Sequence, residues 1–241
     1  MLNKNIPIPL YYQLKERLTQ QIMGGDFQPG TLMPSERELS DRYGISRMTV
    51  RQALGEMVKE GLLLREQGKG TFVAEPKITQ GLLRLTSFSE DMQSRGLKPD
   101  SHVRAVYVQD TPPVVAAALG LAEKSQVIVL ERVRLADQKP MAFEVTHVPV
   151  MLFPGLVQED LHTSSLYTIL EEKYGVKIKY ARQSIEVGLS NRVESDCLGI
   201  SIGSPVLKME RVTYDADEHS FEVVKSVYRG DRYKLHVELH R

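Results

Sequence analysis

In the stretch ISRMTVRQAL, residues 45–54, two arginines, a threonine and a glutamine share a segment whose apolar residues recur at helical spacing. At 100° per residue Val50, Ala53, Leu54 and Met57 gather on one side, and Met48, Arg51, Gln52 and Gly55 lie roughly opposite, with Arg47 at the edge of the first turn. Long donors segregated in this way can bond guanine edges or phosphates of DNA. The competing reading is an ordinary solvated face. A second pair, Arg132 and Arg134, stands two apart in VIVLERVRLA, which reads as a strand, so both guanidinium groups project on one face. Two such groups can grip one phosphate; the alternative is a solvent-facing pair balanced by carboxylates. Ser87-Phe88-Ser89, ahead of Glu90-Asp91-Met92, opens a helix whose first N–H groups could bind phosphate. Ser87 with Glu90 is equally an ordinary capping box, and the two carboxylates weaken the local positive field.

Other chemistries find little support. The six histidines, at 102, 147, 162, 219, 236 and 240, never fall at metal-ligand spacing beside cysteine or acidic partners. No nucleophilic triad is recognisable, so no catalytic residue, metal or cofactor is expected. The single cysteine, Cys197, reads as a small core residue of a protein from a reducing compartment. With 31 basic and 31 acidic residues the net charge is zero, so any nucleic-acid footprint has to be local. No apolar run approaches 18 residues, and MLNKNIPIPLYYQL lacks the pattern of a signal peptide. A soluble, cytoplasmic protein without membrane contact is expected.

These residues need elements to position them. Tyr11, Leu14, Leu18 and Ile22 mark an amphipathic first helix that stops at GGDFQPG. Ser35 and Glu38 form a capping box for a short second helix with Leu39 and Tyr43 on its buried side, and Gly44 suits its left-handed end. Ser46 caps a third helix running to Glu60, with Gly61 as its stop. Two helices joined so tightly must cross steeply, which is a helix-turn-helix. LLLREQGKGTFVAEP then reads as a β-hairpin with Gln67-Gly68-Lys69-Gly70 at its tip, a wing. We expect a winged helix-turn-helix over residues 1–75, a linker over 76–81 and a second domain over 82–241. In that second domain, strand candidates such as VRAVYVQD, PMAFEVTHVPV, RQSIEVGLS and SFEVVKSVYRG alternate with helix candidates PPVVAAALGL, SLYTILEEKYG and RVESDCLGI. Hairpins at 136–139 and 215–218 imply an α+β domain with an antiparallel sheet, and no fixed-period repeat is read from the sequence.

PSERELSDRYGISRMTVRQAL followed by GKGTFV resembles the DNA-binding domain of the GntR family of bacterial transcription regulators. The second half, through LTSFSEDMQSRG, ERVRLAD, PMAFEVTHVP, SSLYTILE and FEVVKSVYRGDRY, resembles the UTRA effector-binding domain of the HutC subfamily, which shares the chorismate lyase fold. The likeness is strongest to those members that repress amino-sugar utilisation genes and answer phosphorylated glucosamine or N-acetylglucosamine. The resemblance implies phosphate-binding roles for Ser87, Phe88, Ser89, Arg132, Arg134, Ser165 and Tyr167. It implies contacts to sugar hydroxyls and amine for Glu144, Glu222 and Tyr228; without it, Glu144 and Glu222 read as exposed strand carboxylates. Ser89 stands where the family often has threonine, and the hydroxyl is kept. DNA contact is expected from Arg37, Ser46, Arg47, Thr49 and Arg51, with Lys69 and Gly70 at the wing tip. A homodimer on a palindromic double-stranded operator is the expected assembly. Two alternatives remain: a HutC-type regulator answering a different carboxylate or phosphate, and a chorismate lyase-like enzyme. The fused winged helix speaks against the enzyme.

Overall fold

A computed structural model describes residues 2–66, 68–162 and 164–239. The chain divides between Lys77 and Ile78 into two compact units.

The N-terminal unit holds α1 (Leu10–Met23), α2 (Glu36–Tyr43) and α3 (Arg47–Lys59), followed by the antiparallel pair β1 (Leu63–Glu66) and β2 (Gly70–Val73). Its core is the set of residues that the helical spacing singles out: Leu14, Leu18, Leu39, Val50, Ala53, Leu54 and Met57 are all buried. Burying each large member stabilises the unit by about 1.5–3 kcal/mol relative to exposure. The expected caps form. Ser35 accepts from the Glu38 N–H while Glu38 accepts from the Ser35 N–H, Gly44 is left-handed at φ 62°, and Ser46 accepts from the Thr49 N–H. The turn between α2 and α3 is therefore fixed by chemistry within its own few residues.

The second unit is a six-stranded antiparallel sheet in the order β4-β5-β6-β9-β8-β7, formed by β4 (Pro99–Asp110), β5 (Gln126–Ala136), β6 (Lys139–Pro149), β7 (Ile178–Leu189), β8 (Pro205–Asp215) and β9 (Ser220–Arg229). Helices α4 (Phe88–Ser94), α5 (Pro113–Leu119), α6 (Leu166–Tyr174) and α7 (Arg192–Leu198) accompany it. The β5–β6 hairpin turns through Asp137 and Gln138, both at positive φ, 48° and 63°, the conformation that continues strand twist through a two-residue loop. Residues 78–81, expected as linker, instead include strand β3 (Ile78–Gly81), which pairs in parallel with β10 (Tyr233–His236). Among the described residues no helix is long and apolar enough to cross a membrane.

The sheet is built twice. Strand β4, helix α5 and strand β5 begin at Pro99, Pro113 and Gln126, and β7, α7 and β8 begin at Ile178, Arg192 and Pro205, each 79 residues later. Sequence follows topology: Glu131-Arg132-Val133 recurs as Glu210-Arg211-Val212, and Phe143-Glu144-Val145 as Phe221-Glu222-Val223. The expectation of no fixed-period repeat is corrected: the elements recur at 79 residues, but the shared residues are few and scattered, and of those quoted only Arg132, Arg211, Glu144 and Glu222 line one cleft. The two halves meet where β6 pairs with β9.

Candidate functional site

One cleft in the second unit gathers nearly all the residues expected to bind an effector. It is lined by Ser87, Phe88, Arg132, Arg134, Glu144, Ser165, Tyr167, Glu222 and Tyr228. Ser89 is not in the lining but accepts a 3.1 Å hydrogen bond from Arg134 Nη2. Strand alternation explains the placement: Ile128 and Leu130 anchor one end of β5 in the core, and Arg132 and Arg134 follow on the same face. The solvent-facing alternative for the arginines is excluded, since they are 5% and 4% exposed. Glu144 and Glu222, at 8% and 2%, are likewise not exposed strand carboxylates.

The arginines share one carboxylate oxygen, Glu144 Oε2, at 3.5 Å from Arg132 Nη2 and 3.7 Å from Arg134 Nε. One carboxylate cannot satisfy two guanidinium groups. Arg132 Nε and Nη1 and Arg134 Nε are buried without a hydrogen-bond partner among the described residues. Burial first, and the Arg134 charge next, push Arg132 down to about 10, which leaves it charged at neutral pH. Arg134 is held in place by Ser101 and Ser89 and lies 4.7 Å above the centre of the Phe88 ring. Buried donors in excess of acceptors are what an anionic ligand requires.

Across the cleft the polar groups are better matched. Glu222 Oε2 accepts from Thr213 Oγ1 at 2.6 Å and from the Tyr167 hydroxyl at 3.1 Å. Burial raises the Glu222 carboxyl, opposed by those two bonds and by the Arg211 charge. Burial also raises the Tyr167 and Tyr228 hydroxyls, so both stay protonated as donors. Arg211 donates to Gln183 Oε1 at 2.8 Å and also bonds Tyr167. The sequence reading missed Arg211, Gln183, Thr146, Gln80 and Thr86, which all line or support this cleft. A signal for Arg211 existed: it is the counterpart of Arg132 in the repeated Glu-Arg-Val. Ser87 forms the capping box with Glu90 at 2.7 and 3.2 Å while also lining the cleft. Ser165 begins α6 without a side-chain capping bond. Cys197 is half-buried rather than core, and its thiol, raised by burial, accepts from Arg104 Nη1 at 2.9 Å.

In the first unit the residues expected to reach DNA lie at the outer surface. Arg47, Arg51 and Lys69 are exposed, and Arg37 lies 3.9 Å from Asp41. Ser46 and Thr49 are engaged with each other, hydroxyl to hydroxyl at 2.8 Å, so both serve the start of α3. Arg51 is held by Glu36 through three bonds of 2.8–3.1 Å. Gly70 has φ 128°, and a Cβ there would lie 2.6 Å from Leu32 Cδ1. The backbone conformation at φ 128° therefore already favours glycine at this position, whereas the exposed Leu32 side chain can move aside. Gln67, also expected at the wing tip, lies outside the described residues.

A winged helix-turn-helix in one chain with a sheet whose cleft gathers buried arginines and carboxylates defines a DNA-binding transcription regulator with a ligand-binding domain. Residues 10–73 match the family described as bacterial regulatory proteins, gntR family, and residues 94–234 match the UTRA domain. The chain belongs to the gntR family of regulators that carry a UTRA domain, and it is a regulator rather than an enzyme. It is similar to the HTH-type transcriptional repressor NagR of Bacillus subtilis (strain 168), with 47% identity over 96% of this chain and 95% of the relative. It is also similar to the mannosyl-D-glycerate transport/metabolism system repressor MngR of Escherichia coli (strain K12), with 34% identity over 94% of each chain. Among solved structures it superposes on PhnF from Mycobacterium smegmatis with a TM-score of 0.67 and 31% identity, covering 94% of this chain and 98% of the other.

Proposed function

We propose that this chain is a cytoplasmic, homodimeric repressor of amino-sugar utilisation genes, released from a palindromic operator by glucosamine 6-phosphate or N-acetylglucosamine 6-phosphate. The observation that carries this reading is the asymmetry of the cleft, with surplus buried donors at Arg132 and Arg134 facing a satisfied carboxylate network at Glu222. A phosphate suits the two arginines, with Ser87, Phe88, Ser89, Ser165 and Tyr167, the last also bonded to Glu222, completing its surround. Sugar hydroxyls and an amine suit the carboxylates, Glu222 and the Glu144 that bridges the arginines, with Tyr228 as a donor. The similarity to a repressor named NagR supports the same reading.

In the DNA-bound dimer each α3 enters the major groove of one half-site, with Arg47 and Arg51 at guanine edges and Arg37, Ser46 and Thr49 on the backbone. Lys69 and Gly70 reach the adjacent minor groove. Release requires only that the sugar phosphate bind the non-operator state more tightly than the operator-bound one.

The test is fluorescence anisotropy of the full-length chain on a duplex it selects from a randomised library, titrated with either amino-sugar phosphate and with glucose 6-phosphate. An amino-sugar phosphate is expected to release DNA at concentrations where glucose 6-phosphate does not. Arg134→Ala is expected to bind DNA as wild type and to lose the response by at least tenfold. If neither amino-sugar phosphate changes the affinity for DNA, the reading fails.

A further inference from the structure

In a protein of zero net charge, the surface read as DNA-facing carries an ionised carboxylate among its arginines. Glu36, in the first turn of α2, accepts from Arg51 Nε at 3.1 and 3.0 Å and from Arg51 Nη2 at 2.8 Å. Arg65, on the first wing strand, places Nη2 3.6 Å from the same carboxylate. The Arg51 contact first, then the Arg65 and Arg47 charges, hold the Glu36 carboxyl below the ordinary carboxylate range against its partial burial. One acid thus ties together the second helix, the third helix and the wing.

A carboxylate on a DNA-binding face is repelled by phosphates of every sequence, so its presence needs a compensating gain. The geometry supplies one. A guanidinium has five N–H donors in a fixed planar fork, and Glu36 occupies the edge made by Nε and Nη2. The outer edge, with Nη1, has no protein partner among the described residues, and it presents two parallel donors of the kind that match guanine O6 and N7. A flexible side chain held at its base also loses less rotamer freedom when it meets the base pair. Arg51 remains largely exposed, with 58% of its side chain accessible, so the grip orients it without hiding it.

We propose that Glu36 is a specificity-determining residue: it holds Arg51 side-on so that one edge is offered to a base pair, and its charge weakens binding to all other sequences. The proposal rests on the reading of α3 as the recognition helix. Two effects of opposite sign follow from one residue. Removing Glu36 lowers discrimination and leaves non-specific affinity equal or higher, whereas loss of a merely structural contact lowers both.

The experiment uses the full-length chain, a duplex that it selects from a randomised library, and an unrelated duplex of the same length, at several salt concentrations. Wild type is compared with Glu36→Ala, Glu36→Gln, Arg51→Ala and the Glu36→Ala/Arg51→Ala double variant, each checked for a cooperative thermal transition. Glu36→Ala is expected to reduce the ratio of selected to unrelated affinity by roughly tenfold or more, with no loss on the unrelated duplex. Glu36→Gln, which keeps the length and one acceptor, is expected to lie between it and wild type. In the double variant the ratio is expected to fall no further than in Arg51→Ala alone, because the two residues act as one unit. Equal weakening on both duplexes, or losses that add in the double variant, overturns the proposal. If Arg51→Ala leaves the ratio unchanged, the recognition-helix reading itself fails. If Arg51→Ala lowers the ratio and Glu36→Ala does not, only the role of Glu36 is lost.

Discussion

A carboxyl group as buried as that of Glu222 costs stability whenever it is ionised, and the bonds from Thr213 and Tyr167 recover only part of that cost. Burial raises its folded-state value above the unfolded one. The folded protein therefore binds the proton more tightly, and the favourable contribution is complete below the unfolded value, near 4.3. It is lost as pH rises through the folded value. Glu222→Gln keeps an acceptor for both hydroxyls and removes the charge. The variant is expected to unfold at a higher temperature than wild type at neutral pH. The difference should shrink as the pH falls, and thermal scans across pH 4 to 8 check it. In the same variant the response to an amino-sugar phosphate should weaken, because a neutral amide attracts an amine less than a carboxylate does. Arg132 and Arg134 present the opposite imbalance, with donors lacking acceptors. The cleft thus joins buried donors that lack acceptors to a buried carboxylate that already has its donors, and an anionic ligand group is expected to act first on the arginines.

At the scale of elements, the wing is the place where local backbone conformation sets a preference that resembles a functional one. Gly70 combines φ 128° with a 2.6 Å approach of its missing Cβ to Leu32. Gly70→Ala is expected to destabilise the chain by about 1–3 kcal/mol. Adding Leu32→Ala should restore the steric part and leave the backbone part, so the two changes are non-additive in a denaturant-unfolding cycle. Additive losses would mean that Leu32 is not the obstacle. Helices, caps and the wing were legible in the sequence because their signals are local: Ser35 with Glu38, Gly44, and the spacing of Val50, Ala53, Leu54 and Met57 all act within a few residues. Strand β3 was not, since Ile78–Gly81 is short, lacks a run of apolar alternation and finds its partner only at Tyr233–His236. For the cleft, Arg132 and Arg134 were legible as a pair on one strand face. Glu144, Glu222, Ser165, Tyr167 and Tyr228 came only from the family resemblance, because the strand residues meet through β6 pairing with β9 and Ser165 and Tyr167 join them from the start of α6. Arg211 fell between the two routes. The repeat that relates it to Arg132 is carried by only a few identical residues in each strand, Glu-Arg-Val being the one contiguous run, too few to stand out before the topology aligned them.

For the whole molecule, zero net charge limits the ways in which binding to DNA can be controlled. No bulk positive field draws the chain to DNA, so affinity rests on local contacts of placed residues, and a ligand in the second unit can act only by changing which placement is favoured. That constraint gives a thermodynamic identity to test. If the sugar phosphate lowers the affinity for the selected duplex by some factor, the duplex must lower the affinity for the sugar phosphate by the same factor. A coupling of about 1–3 kcal/mol, or about 5- to 150-fold, is typical of such pairs of sites. The expected outcome is equal factors from two independent measurements: anisotropy of labelled duplex at saturating ligand, and calorimetric titration of ligand with and without saturating duplex. Equality would show that the ligand measured by calorimetry is the one linked to the DNA equilibrium. A fall in DNA affinity without a matching fall in ligand affinity would mean that the sugar phosphate competes for DNA contacts at another site, or changes the assembly state. The same pair of measurements on Arg134→Ala should return a factor near one from both sides, since a ligand that no longer distinguishes the states has no coupling to transmit.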